Sequence, residues 1–137
     1  MIAYVTVGAD DMEAAERFYA TLLPPLGYRL ERYRGDLSYI PDRGTEFYVK
    51  RPFDGAPATA GNGVMVAFEA RGQAEVRALH AAALAAGGTD EGAPGFRDAY
   101  GPSFYVGYLR DPQGNKLALY SSDPDEPGRD GRRGTIP

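Results

Sequence analysis

The chain has no cysteine anywhere in its 137 residues. It therefore forms no disulfide, offers no thiolate nucleophile and builds no zinc–thiolate site, which suits a reducing compartment. A surplus of positive charge is also missing, because 15 Lys and Arg stand against 19 Asp and Glu for a net charge of -4. Nucleic-acid binding rests on clustered cations that neutralise phosphates, so no nucleic-acid partner is expected. No apolar run approaches the ~20 residues needed to cross a bilayer. Met1–Tyr4 lacks the basic stretch and apolar core of a leader segment, so no membrane partner is expected and the expected location is cytoplasmic.

What the chain does contain is a near repeat of itself. One common offset lays Tyr4-Val5-Thr6-Val7 over Met65-Val66-Ala67-Phe68, Phe18 over Leu79 and Gly27 over Gly88, and a second lays Gly44–Val49 over Gly114–Leu119. Repetition of this kind implies two copies of one module. Hydrophobic residues make up 43% and charged residues 25%, an ordinary globular balance, and the length suits one domain with a real core. The expected organisation is a single domain over 1–121, with module 1 at 1–51, a linker at 52–61 and module 2 at 62–121. A tail follows over 122–137.

Local signals give each module the order strand, helix, three strands. Ile2–Val7 is rich in β-branched residues, with Val5 and Val7 on one face and Tyr4 and Thr6 on the other. Asp10 or Asp11 can cap the helix that follows, whose Met12, Ala15, Phe18, Tyr19, Leu22 and Leu23 form one apolar stripe before Pro24-Pro25. Strands are predicted over 28–33, 37–40 and 46–50, separated by turn residues. The linker offers nothing to bury. Module 2 resumes with a strand over 64–69 and a helix over 73–86 that packs through Val76, Leu79 and Ala83. Residues 92–100 have uncertain strand content, and 103–110 and 116–120 form a hairpin across the Asp111-Pro112-Gln113-Gly114-Asn115 turn. The tail carries Ile136 as its sole aliphatic residue and forms no core, so a neighbouring surface is expected to order it.

Arg17-Phe18-Tyr19 on the first helix, its Leu26-Gly27-Tyr28 exit, Gly61-Asn62-Gly63 before a strand and Asp111–Asn115 before the last strand occur in an order that resembles the vicinal oxygen chelate superfamily. That superfamily includes glyoxalase I, bleomycin-resistance proteins and extradiol dioxygenases. The resemblance covers about residues 1 to 121 and implies an α+β fold in which two βαβββ modules pair into a half-open curved barrel with the ligand in its concavity. It places the family's metal ligands at Tyr4, Tyr48, Met65 and Ala118. Two phenols, a thioether and a methyl are not the imidazole and carboxylate donors that a divalent ion requires, so neither a metal nor any other cofactor is expected.

The same replacements predict an aromatic, partly apolar pocket for a small-molecule ligand, lined by Tyr4, Thr6, Tyr48, Met65, Tyr108 and Ala118. Phe104 or Tyr105 is expected near its mouth, and Arg97, Arg51 and Lys116 are candidates to meet an anionic substituent at the rim. Glu46 shares a strand face with Tyr48 and is the candidate base of an alternative, a metal-independent lyase or isomerase of glyoxalase or dioxygenase type. His80 is by residue type a candidate for acid–base work, yet the repeat puts it on the outer side of the sheet with no nearby partner and so in a structural role. A homodimer is expected, with the pocket or the tail shared across the symmetry axis.

Overall fold

The computed structural model describes residues 1–133; residues 134–137, Ile136 among them, lie outside the described residues. Ten elements follow one another: β1 (Tyr4–Gly8), α1 (Met12–Leu22), β2 (Tyr28–Tyr33), β3 (Asp36–Pro41), β4 (Glu46–Lys50), β5 (Val66–Glu69), α2 (Gln73–Ala85), β6 (Thr89–Phe96), β7 (Tyr105–Arg110) and β8 (Lys116–Ser121). They form two four-stranded sheets, β1-β4-β3-β2 and β5-β8-β7-β6. The strand order is the same in both, so the repeat read from sequence is present in the backbone. The fold is α+β, two βαβββ modules whose sheets curve as a half-open barrel and do not close.

Alternation along the strands decides which side of each sheet is dry. In the first sheet Val7, Leu37, Tyr39, Phe47 and Val49 are buried against α1, and Tyr4, Thr6, Ser38, Glu46 and Tyr48 fall on the opposite, concave face. In the second sheet Phe68, Leu109, Leu117 and Leu119 take the helix side. Tyr108, Lys116 and Ala118 alternate with them onto the concave side. The two helix sides merge into one buried cluster containing residues of both modules, with the Phe47 and Phe68 rings edge to face at 5.2 Å. Phe18, Tyr19 and Leu22 of α1 are fully buried, each contributing about 1.5–3 kcal/mol of apolar transfer. Gly88 allows this approach, because a Cβ there would lie 2.7 Å from the Phe18 ring.

The helices start differently. Asp11 caps α1 by accepting from the Ala14 N–H at 3.0 Å, the local device expected from sequence. Gly72, at the same place on α2, has no side chain to offer, and Glu126 of the tail takes over by accepting from the Gln73 N–H at 3.0 Å. Residues 126–129 of the tail are thus held against their own chain. Gln73 donates to the Pro127 carbonyl, the Arg129 N–H donates to Pro102, and the Arg129 guanidinium donates to the carbonyls of Arg97, Asp98 and Tyr100.

Two further expectations need correction. Residues 89–96 form a full strand, β6, that sequence left uncertain: Gly92, Pro94 and Gly95 have low strand preference, but β6 lies at a sheet edge and its register slips at Gly92 and Gly95. The linker does bury something, since Ala58 is buried and its N–H donates to Asp10 Oδ1.

The Asp111–Asn115 turn is also the joint between modules. Asp111 is 2% exposed and accepts from the Tyr19 hydroxyl at 2.6 Å, the Asn115 side-chain amide at 2.9 Å and the backbone N–H groups of Gln113 and Asn115. Asn115 Nδ2 also reaches the Gly8 carbonyl, and Gln113 bridges Asp10 and Ala58. Burial, together with the neighbouring Asp111 carboxylate, pushes the Tyr19 phenol pKa well above its ordinary value. No helix among the described residues is long and apolar enough to cross a membrane.

Candidate ligand site on the concave faces

Residues singled out from sequence divide between two hollows. On the first sheet, β1 runs parallel to β4 with Tyr4 opposite Glu46 and Thr6 opposite Tyr48. The Tyr4 and Tyr48 rings stack with centroids 4.8 Å apart, and the Tyr48 hydroxyl donates to Glu46 Oε1 at 2.5 Å. That hydrogen bond, with smaller contributions from burial and from the charge of Glu46 itself, raises the Tyr48 pKa. Tyr48 and Glu46 line a hollow of about 360 Å³ together with Ser38, Ile40, Glu31 and Lys50. Thr6 is exposed beside them, and Tyr4 is 57% exposed.

On the second sheet lies a larger concavity of about 1060 Å³, between the Gly61–Met65 approach to β5, β6, the 97–100 loop and the outward side chains of β7 and β8. Met65 and Tyr108 line it, and Ala118, paired with Tyr108 across the hairpin, is buried. No residue lines both hollows. Phe104 stacks on Tyr120 and meets Tyr100 edge on, whereas Tyr105 is buried on the helix side against Phe96, so of the two mouth candidates only Phe104 keeps company with the concave wall. Arg97 and Lys116 line the concavity, and Arg51 sits apart, in a shallow depression with Asp10 and Asp11.

Sequence reasoning missed Tyr100, Asn62 and the Arg110–Glu91 ion pair of the same wall, because loop and bulge positions carry no periodic signal. His80 faces the helix side of β7, as the repeat predicts. It is not partnerless: its Nε2 lies 3.0 Å from the Tyr108 carbonyl and 3.3 Å from Asp90 Oδ1.

At the four positions that the sequence resemblance assigns to metal ligands, the donors do not fit a divalent ion. Tyr4 and Tyr48 are engaged with each other and with Glu46, Met65 offers a thioether and Ala118 a methyl. Among the described residues no three His, Cys, Asp or Glu side chains gather in a group that could hold a metal.

This geometry can be set beside known proteins. The family model for the glyoxalase-like domain matches residues 4–120, and the chain belongs to that family. A glyoxalase/bleomycin resistance protein from Albidiferax ferrireducens T118 is 38% identical, with a TM-score of 0.80 over 88% of this chain and 98% of that one. A glyoxalase-related enzyme from Fulvimarina pelagi is 22% identical, with a TM-score of 0.73 over 100% and 99% of the two chains. Lactoylglutathione lyase from Agrobacterium tumefaciens is 22% identical, with a TM-score of 0.60 over 88% and 92%. The last two likenesses speak for the fold alone. No curated protein matches the sequence.

Proposed function

We propose that this protein is a cytoplasmic, metal-independent member of its family that binds a small, largely aromatic molecule in the barrel concavity. The observation that carries this reading is the replacement of a chelating donor set by two phenols, a thioether and a methyl beside a hollow of about 1060 Å³. A site of this kind holds its ligand by stacking and apolar contact, with polar groups fixing orientation.

The working unit in this reading is a homodimer in which the first sheet of one copy faces the second sheet of the other. What supports it is the state of the two edge strands. Exposed apolar residues flank or sit on β1 and β5: Ile2 is 65% exposed, Tyr4 57%, Val64 60% and Met65 44%. Unpaired edges bearing apolar side chains invite pairing, and a two-fold arrangement covers both at once. It also brings Tyr4, Thr6 and Tyr48 toward Met65, Tyr108 and Ala118 of the second copy.

Thermal melts with a panel of planar aromatic compounds, with and without chelator, test this proposal. A ligand-dependent rise in Tm that chelator does not alter is expected, together with a dimer by sedimentation. A tightly held, stoichiometric divalent ion in the purified protein, whose removal abolishes binding, would sink it.

The hydrogen bond from Tyr48 to Glu46 favours a second reading, catalysis of lyase or isomerase type. Glu46 removes a proton next to a carbonyl, and a phenol of Tyr4 or Tyr48 donates to the developing enolate oxygen. Turnover of a keto substrate that survives chelator and disappears in Glu46→Gln supports this; turnover unchanged in that variant removes Glu46 as the base.

A further inference from the structure

The larger concavity carries more positive charge than the chain around it. Arg97, Arg110 and Lys116 line it with Glu91 and Asp98, a surplus of one positive charge in a protein of net charge -4. The three cations are not equivalent. Arg110 is neutralised by Glu91 and also donates to the Gly114 carbonyl at 2.8 Å. Among the described residues Lys116 and Arg97 have no carboxylate within ion-pair distance, and both lie 5.4 Å from the centroid of one ring, that of Tyr108.

The backbone is shaped to put Arg97 there. Its guanidinium folds back along β6, donating to the Phe96 carbonyl at 3.1 Å and the Ala93 carbonyl at 2.8 Å. Glycines flanking the register shifts of β6 lie beside it and crowd it little. A Cβ on Gly92 would stand 3.2 Å from Arg97 Nη2 and one on Gly95 would stand 3.3 Å from Nη1. These two bonds occupy two of the five guanidinium N–H donors and leave the others available. Through Arg129, the tail grips the carbonyl of Arg97 itself and those of Asp98 and Tyr100, which fixes this wall of the concavity.

We infer that the ligand of this concavity is an aromatic monocarboxylate, its carboxylate drawn by the cations Arg97 and Lys116 and its ring lying beside Tyr108, Tyr100 and Met65. The inference rests on the reading of the concavity as a ligand site. Two cations without a carboxylate partner leave positive charge uncompensated on this wall, and a ligand carboxylate offsets it while accepting charge-assisted hydrogen bonds. One surplus charge matches a monoanion. The ring completes the match, because Tyr108, Tyr100 and Met65 offer apolar and aromatic surface beside the cations.

Calorimetric titration of the full chain with 2-naphthoate and with 2-naphthamide separates the charge from the ring, since the two probes share shape and differ in the anion. Naphthoate is expected to bind about tenfold more tightly, and the preference is expected to fall below about twofold in Lys116→Met and in Arg97→Met, to survive in Lys116→Arg and to shrink with added salt. Circular dichroism melts of each variant establish that the fold is kept. Naphthamide binding as tightly as naphthoate overturns the carboxylate while leaving the aromatic pocket standing. Binding of neither probe overturns both. A preference for the anion that emerges only in Glu46→Gln also overturns the inference, because the cations then have Glu46 of a second copy as their partner.

Discussion

The two sheets share strand order and differ in nearly everything laid upon it. The concave face of the first is a shallow hollow with Glu31, Asp36 and Glu46 against Arg32 and Lys50, and its Tyr4 and Tyr48 rings are stacked on each other. The second is about three times as large, carries the surplus positive charge and is walled by a loop that the C-terminal tail holds in place. The helices behind them differ in the same way, α1 capped by its own Asp11 and α2 by Glu126 from the far end of the chain. Duplication thus supplied one backbone twice, and each copy acquired its chemistry through residues that the backbone does not dictate. At its helix cap the second copy depends on a distant part of the chain, where the first uses its own neighbour.

Breaking the joint should have the largest effect. Asp111→Ala leaves the buried Tyr19 hydroxyl without its acceptor and takes from the Asn115 amide one of its two, and a loss of about 3 kcal/mol in urea unfolding is expected. The milder Asp111→Asn keeps the shape and should cost less, and a cost for Asp111→Ala below about 1 kcal/mol would show that the modules do not depend on this joint.

The caps sharpen the contrast between local and distant support. Asp11→Ala and Glu126→Ala should each cost about 1 kcal/mol, because each removes one carboxylate from a helix N-terminus. In hydrogen exchange the first variant should loosen α1 alone. The second should loosen the start of α2 together with the 97–102 loop, to which the same tail is bound. Equal loosening of both modules by either variant would erase the distinction.

The smallest effect is expected at Tyr39, on the helix side of the first sheet. Its hydroxyl is buried with no hydrogen-bond partner among the described residues, so Tyr39→Phe should change stability by no more than about 0.5 kcal/mol. Burial pushes the Tyr39 pKa up to about 12. A phenol whose folded pKa exceeds its unfolded value of 10.0 favours the folded state fully below pH 10, and that contribution is lost as pH rises from 10 toward 12. An alkaline titration of stability should show this loss in the parent chain and a smaller loss in Tyr39→Phe, with Tyr19 and the other phenols of raised pKa (Tyr28, Tyr48, Tyr108 and Tyr120) contributing in the same direction.

Periodicity made most of the fold legible. The stripe of Phe18, Tyr19 and Leu22, the alternation of Val5 and Val7 with Tyr4 and Thr6, and the recurrence of both patterns in module 2 are local consequences of 3.6- and 2-residue repeats. β6 escaped because an edge strand need not have strand-like composition, and its bulges remove the alternation that would betray it. The candidate site was legible only in part. Strand alternation put Tyr48, Met65 and Tyr108 on concave faces, yet whether they meet depends on how two sheets are set against each other, which leaves no mark on either strand.

The amino-acid order alone therefore determined the duplicated βαβββ plan and, outside β6, the side of a strand that goes inward. Those features follow from residue identity and spacing, whereas the four positions that carry no chelating donor were located through the family resemblance. The three-dimensional fold alone decided that Asp111 joins the modules, that the tail caps α2 and grips the 97–102 loop, and that Arg97 and Lys116 share the ring of Tyr108. Each of these joins groups far apart in the chain or fixes the angle of a side chain in a loop, and such contacts depend on the whole arrangement of the backbone, not on any local preference.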